Sequence, residues 1–210
     1  MIDQTPDHIG PHANQPILHE GPQIHDAKRV LVLVHGRGGS PEDMLQLGRM
    51  IASPSTALVA PSAAGSTWYP QRFIAPREQN EPFVTSALAA LHAVLDMLPP
   101  DKVVLCGFSQ GACLTSQYLL ENGPALRAAA IFTGGVIGDA APQHPPTATD
   151  LTNVPVLLTS GDPDPHIPWP RVEETAALLT AAGATVDLHR YPGRPHTVSK
   201  EELELLRDLL

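Results

Sequence analysis

The stretch "KVVLCGFSQGAC", residues 102–113, opens as an apolar, valine-rich run and closes on a serine held between two glycines. A continuous apolar run of this length suits a strand buried on both faces, as in a parallel sheet. The five letters "GFSQG" (107–111) fit the pattern G-x-S-x-G. There, glycines let a strand turn sharply into a helix and leave the serine hydroxyl exposed at the bend. Cys106 and Cys113 flank this bend and read as buried free thiols that serve packing rather than chemistry.

Outward from this turn, the same kind of apolar run recurs. "RVLVLVH" (29–35), "AAAIFTG" (128–134) and "VPVLLTS" (154–160) repeat it, with a further strand near 57–60. "TVDLHRY" (185–191) alternates instead, as an edge strand does. Helical spacing lies between the runs: Val84, Leu88, Leu91, Leu95 and Leu98 fall on one face. Ser40, Pro41 and Asp43 read as a helix start, and "SKEE" (199–202) reads as a capping box. Strand and helix alternate throughout, which predicts an α/β fold with a mostly parallel sheet, helices on both faces and right-handed crossovers. Residues 1–15 read as a loose leader, 16–210 as one domain without a cap, and 138–155 as a surface excursion.

Composition narrows the function. The 210 residues carry a formal net charge of -9, which argues against a nucleic-acid backbone or an anionic membrane as main partner. No apolar run reaches the roughly 18 residues of a membrane span, and the N-terminus has no signal-peptide pattern, so a soluble cytoplasmic protein is expected. Two cysteines do not make a disulfide framework. The histidines at 8, 12, 19, 25 and 35 show no tight ligand spacing, so no metal and no cofactor are expected.

A serine hydroxyl is a weak nucleophile near neutral pH, and Ser109 needs a base and a group to orient that base. In parallel sheets the reactive loops follow the carboxyl ends of strands. "GDPDPHIP" (161–168) offers Asp162 and Asp164 there, and "PGRPHTV" (192–198) offers His196. Chain order Ser, Asp, His is that of the α/β-hydrolase triad. His189 is a rival base inside a strand, and His166 reads as a rim residue. Acyl transfer also needs donors for the carbonyl oxygen. Gln110 N–H, next to the nucleophile, and Arg37 N–H, in the glycine-rich loop "HGRGGS" (35–40), are assigned that task, with His35 fixing the loop.

Together "LVLVHGRGG", "GFSQGA", "GDPDPHIP" and "YPGRPHTV" resemble the phospholipase/carboxylesterase group of α/β-hydrolases, over about residue 17 to the C-terminus. The resemblance implies a G-x-x-D acid, which selects Asp164 over Asp162, and implies His196 as base with Arg37 and Gln110 as oxyanion donors. The loop "HGRGG" departs from the acyl-protein thioesterases, which tend to have an aliphatic residue and an acid there. The expected activity is hydrolysis of small to medium acyl carboxylic esters, with a thioesterase or lysophospholipase, or a non-catalytic ligand receptor, as alternatives. A homodimer is implied by the resemblance alone. "STWYPQRF" (66–73) gathers Trp68, Tyr69 and Phe73 in one loop, read either as a packing cluster or as a wall of the substrate pocket, with Trp68 favoured for the pocket. Arg37 and Arg72 could attract a carboxylate on the substrate, yet exposed arginines more often belong to the solvated surface.

Overall fold

A strand without a polar face must be covered on both sides, and the apolar runs are. In a computed structural model, which describes residues 10–123, 125–146 and 149–210, seven strands form one sheet in the order β1-β3-β2-β4-β5-β6-β7. They are β1 (Ile17–Glu20), β2 (Arg29–Val34), β3 (Thr56–Pro61), β4 (Val103–Phe108), β5 (Ala128–Phe132), β6 (Pro155–Asp162) and β7 (Thr185–Pro192). All neighbours are parallel except β1, which runs antiparallel to β3.

Period-two alternation divides each strand between two cores. Val30, Val32, Val34, Leu105, Ile131 and Leu158 point to one face, where α2 (Phe83–Asp96), α3 (Gln110–Asn122) and α4 (Trp169–Ala181) cover them with Leu91, Leu114 and Val172. Leu31, Leu33, Val104, Phe132 and Leu157 point to the other, under Met44 and Leu45 of α1 (Pro41–Arg49) and Leu203 and Leu206 of α5 (Lys200–Leu209). The helix starts follow the sequence signals. Ser40 and Ser199 each close a capping box, with Asp43 and Glu202 reaching back to the cap N–H. No helix among the described residues is long and apolar enough to cross a membrane.

Three local expectations change. β1 carries no strand signal in the sequence, because four half-buried residues that extend an existing edge need little pattern of their own. The strand read over 128–134 stops at Phe132, since Thr133 takes a φ of 58° and turns the chain out of the sheet. The leader reading does not hold for residues 10–15. His12 is buried, its backbone N–H donating to Ser86 Oγ (2.9 Å) and its Nε2–H to the Trp68 carbonyl (2.8 Å). Residues 1–9 lie outside the described residues. The excursion read over 138–155 has no helix or strand before Pro155 in its described part, although Leu151 and Val154 are buried; 147 and 148 lie outside the described residues.

Candidate active site

Ser109 stands where β4 passes into α3, at φ 55° and ψ −117°, a conformation that L-residues avoid unless the surroundings enforce it. The enforcement is visible. Its N–H donates to the Phe132 carbonyl at 3.0 Å, and its own carbonyl accepts from Cys113 N–H at 3.0 Å. The flanking glycines are sterically required: a Cβ on Gly111 would overlap the Val34 carbonyl oxygen, and one on Gly107 would overlap the Gly111 carbonyl. The helix can therefore start directly against the ends of β2 and β4, with the hydroxyl held above the sheet.

Two other strand ends reach this hydroxyl. Past β6, Asp164 has a fully buried side chain, whose Oδ1 accepts from the backbone N–H groups of His166 (2.8 Å) and Ile167 (2.9 Å). Its Oδ2 accepts from His196 Nδ1–H, past β7, at 2.8 Å. Burial by itself raises the Asp164 pKa, but the two N–H donors and the imidazole outweigh it and hold the group below the ordinary carboxylate value. With Nδ1 facing a carboxylate as donor, Nε2 carries the lone pair. That atom accepts from Ser109 Oγ at 2.9 Å. The imidazole is packed by Phe108, with ring centroids 5.2 Å apart, and by an edge-on His166 at 4.8 Å.

Asp162 is committed elsewhere, accepting from Arg190 Nε at 2.8 Å. His189 stays on β7 beside Asp187. Neither approaches Ser109 within hydrogen-bonding distance.

The two residues whose N–H groups are assigned to a carbonyl oxygen, Arg37 and Gln110, both line the cavity that Ser109 also lines. Gln110 is the first residue of α3, so its N–H is one of the helix's orphan donors. Arg37 N–H has no partner among the described residues, and its loop is tightly fixed. Gly38 N–H donates to the Ser66 carbonyl at 2.7 Å and Gly39 N–H to the Gly36 carbonyl at 3.1 Å. His35 is buried beneath, its Nδ1–H donating to the Gly36 carbonyl (2.8 Å) and its Nε2 accepting from Ala63 N–H (3.0 Å). Burial lowers the His35 pKa, against a smaller raising effect of the Gly36 carbonyl, so the ring stays neutral and keeps one donor and one acceptor.

The cavity encloses about 430 Å³. Tyr69 and Phe73 contribute to its wall, as do Phe108 and Ile167, which the sequence reading does not single out although they adjoin Ser109 and the Asp164 turn. Trp68 is a correction. It does not line the cavity; its indole N–H donates to the His35 carbonyl (2.8 Å) and its ring packs between His12 and His35. With its N–H satisfied beneath the loop, Trp68 is a foundation for the loop, not a pocket wall. The Arg37 guanidinium also departs from expectation, since it donates to the carbonyls of Tyr69 (2.9 Å), Pro70 (2.8 Å) and Gln71 (2.6 Å).

Over residues 21–210 the sequence matches the profile of the phospholipase/carboxylesterase family. The chain belongs to that family. A phospholipase/carboxylesterase from Dyadobacter fermentans has a similar solved structure, at 35% identity and a TM-score of 0.87 over 96% of this chain and 98% of that one. Among curated relatives, a probable carboxylesterase SOBER1-like of Arabidopsis thaliana is 28% identical over 63% of this chain and 52% of its own length. Acyl-protein thioesterase 1 of Neurospora crassa is 27% identical over 64% of this chain and 57% of its own. The alignments thus span little more than half the length of these relatives. The α/β-hydrolase fold follows from the family and the sheet, and among the described residues no separate cap covers the site.

Proposed function

We propose that this family member is a serine carboxylesterase that cleaves small to medium acyl esters through an acyl-enzyme on Ser109. The observation that carries the reading is the unbroken hydrogen-bonded chain from Asp164 through His196 to Ser109, at 2.8 and 2.9 Å. Ser109 Oγ attacks the ester carbonyl carbon while its proton passes to His196 Nε2. The carbonyl oxygen, now negative, is held by Arg37 and Gln110 N–H, a contribution of about 3 kcal/mol for each donor. The intermediate collapses, and His196 gives the proton to the leaving alcohol. Water then attacks the acyl carbon, loses a proton to Nε2, and the acid departs as that proton returns to Ser109.

Asp164 fixes the tautomer of the base and stabilises the imidazolium; it does not take the proton itself. The cavity lies within the usual 300–1,000 Å³ range of small-ligand pockets, which suits an acyl group of modest length. The thioesterase relatives keep thioesters as a second reading, because the acyl-transfer steps are the same with a thiol leaving group. Cys106 and Cys113 are free and buried, which suits a reducing cytoplasm as its location.

Ser109→Ala tests the reading. The purified variant should lose turnover of p-nitrophenyl esters by about 10⁶-fold, by analogy with the loss of other triad serines. It should also resist labelling by a fluorophosphonate that modifies the wild type. Full ester turnover in the alanine variant would end the proposal, and a panel of oxygen and sulfur esters of rising chain length separates the two substrate classes.

A further inference from the structure

Two charged side chains that take no part in the chemistry lie buried behind the candidate base. Arg194 stands two residues before His196, and its side chain is only 8% exposed; Glu202, in the first turn of α5, is fully buried. Their nearest atoms, Nη2 and Oε1, are 3.4 Å apart. Charges removed from water are costly, and a buried ion pair seldom repays the cost in stability over an apolar pair of similar volume. Its contacts indicate what the pair does instead.

The guanidinium folds back under its own loop. Arg194 Nη1–H donates to the Pro195 carbonyl (3.3 Å) and to the Thr197 carbonyl, so one nitrogen grips the backbone on both sides of His196. Nη2–H donates to Thr133 Oγ1 (2.8 Å), at the turn that ends β5. Glu202 is anchored in turn. Oε1 accepts from Thr159 Oγ1 on β6, and Oε2 accepts from Ser199 N–H at 2.7 Å, closing the α5 capping box. The His196 loop is therefore tied by Arg194 to the turn after β5 and, through Glu202, to β6 and the first turn of α5. On the other side of the ring, Asp164 supplies only a single hydrogen bond to Nδ1.

We infer that Arg194, held by Glu202 and Thr133, is a positioning residue that sets the backbone of residues 195–197 so that His196 Nε2 meets Ser109. The inference rests on the assignment of His196 as general base. Arginine suits the geometry, because its planar fork donates to two carbonyls and a hydroxyl at once while its charge lies beside the Glu202 carboxylate, whereas the lysine ammonium has three donors at one point. Displacement of the loop by a fraction of an ångström affects the proton transfer, while the cavity wall, to which this loop contributes only His196, is otherwise built from other loops.

Two variants test this in the full chain. Arg194→Lys keeps the charge beside Glu202 but loses the fork; Arg194→Met with Glu202→Gln removes both charges together while leaving an acceptor for Ser199 N–H. In each, kcat for p-nitrophenyl acetate should fall about 10- to 100-fold, since misplacing a reacting group by about 1 Å costs up to about 10²-fold, with KM within about twofold. The rate constant of fluorophosphonate labelling at Ser109 should fall in parallel. A kcat within twofold of wild type in either folded variant overturns the inference. So does a loss that vanishes when the assay is run well below that variant's melting temperature, since that marks a merely structural role. A wild type that neither turns over esters nor labels would instead defeat the assignment of the base.

Discussion

Replacing Asp164 by asparagine changes one oxygen for an NH2 group, and the structure fixes where that group must go. Oδ1 accepts two backbone N–H groups, from His166 and Ile167, and Oδ2 accepts one ring N–H from His196. Asparagine keeps the two backbone donors satisfied only with its oxygen toward them, which turns its NH2 toward Nδ1. The imidazole then presents a lone pair at Nδ1 and an N–H at Nε2, and an N–H cannot accept the Ser109 proton. The opposite amide rotamer restores the correct tautomer but sets NH2 against two backbone donors that lose their acceptor. At about 1–3 kcal/mol for each unsatisfied donor, that rotamer is disfavoured by about 2–6 kcal/mol. At 1.36 kcal/mol per factor of ten, its population falls about 30-fold to 10⁴-fold. The upper end matches the loss of about 10⁴ for the same change in a serine protease triad. Steady-state turnover of a p-nitrophenyl ester, beside a thermal melt showing that the variant is folded, measures the effect. A folded Asp164→Asn enzyme within about tenfold of wild-type kcat would refute the assigned hydrogen-bond directions.

Other consequences are quicker to check. The Asp164 carboxyl, with its pKa below the ordinary value near 4, contributes stability that is complete above about pH 4 and is lost as pH falls through the lowered value. Acid titrations followed by circular dichroism should therefore slope less steeply for Asp164→Asn than for wild type, and equal slopes would contradict the shift. Gly111→Ala forces a methyl into the Val34 carbonyl, so the variant should melt well below wild type or fail to accumulate as folded protein, and an unchanged melt would show the elbow to be slack. Burial pushes the Cys113 thiol up to about 11 and the Cys106 thiol higher still, so iodoacetamide near neutral pH should leave both thiols and the esterase activity intact, as mass spectrometry would show. The cavity wall carries Arg72, besides an Arg37 whose guanidinium is engaged by carbonyls, and no acidic residue. An ester with a carboxylate on its acyl chain should then exceed its trimethylammonium counterpart in kcat/KM by about fivefold or more, from about 1 kcal/mol per charge pair in water. Arg72→Glu should narrow that ratio, and a ratio of one in wild type would show the wall to be fully screened.

What the sequence made legible in this protein was what short-range sterics and chain order determine. The turn at Ser109 could be read because only glycine tolerates the contacts at positions 107 and 111. Asp164 and His196 could be found because parallel strands deliver their following loops to one edge. Ser40 and Ser199 were readable because a capping box closes within four residues. Partners distant in the chain gave no such signal. Nothing in residues 10–15 indicates that His12 will dock against Trp68, or in "GRPH" that Arg194 will reach Glu202. Trp68 illustrates the limit: a tryptophan in an aromatic-rich loop signals burial, but the side it is buried on depends on a carbonyl 33 residues away.

The same long-range pairing joins two features that sequence reading treats as separate. Arg37 and Gln110 are assigned to the oxyanion through their backbone N–H groups, yet both side chains grip the aromatic loop. Arg37 holds the carbonyls of Tyr69, Pro70 and Gln71; Gln110 accepts from Trp68 N–H and donates to the Tyr69 carbonyl, each at 2.8 Å. The loop that supplies Tyr69 and Phe73 to the cavity wall is thus clamped by the two residues whose N–H groups are proposed to hold the reacting carbonyl. A change that reshapes the wall by moving residues 68–71 has to disturb those clamps as well. On the proposed function, chain-length specificity and oxyanion stabilisation should therefore be coupled, and substitutions at Phe73, Phe108 or Ile167, which line the cavity without joining the clamp, should alter the first and spare the second.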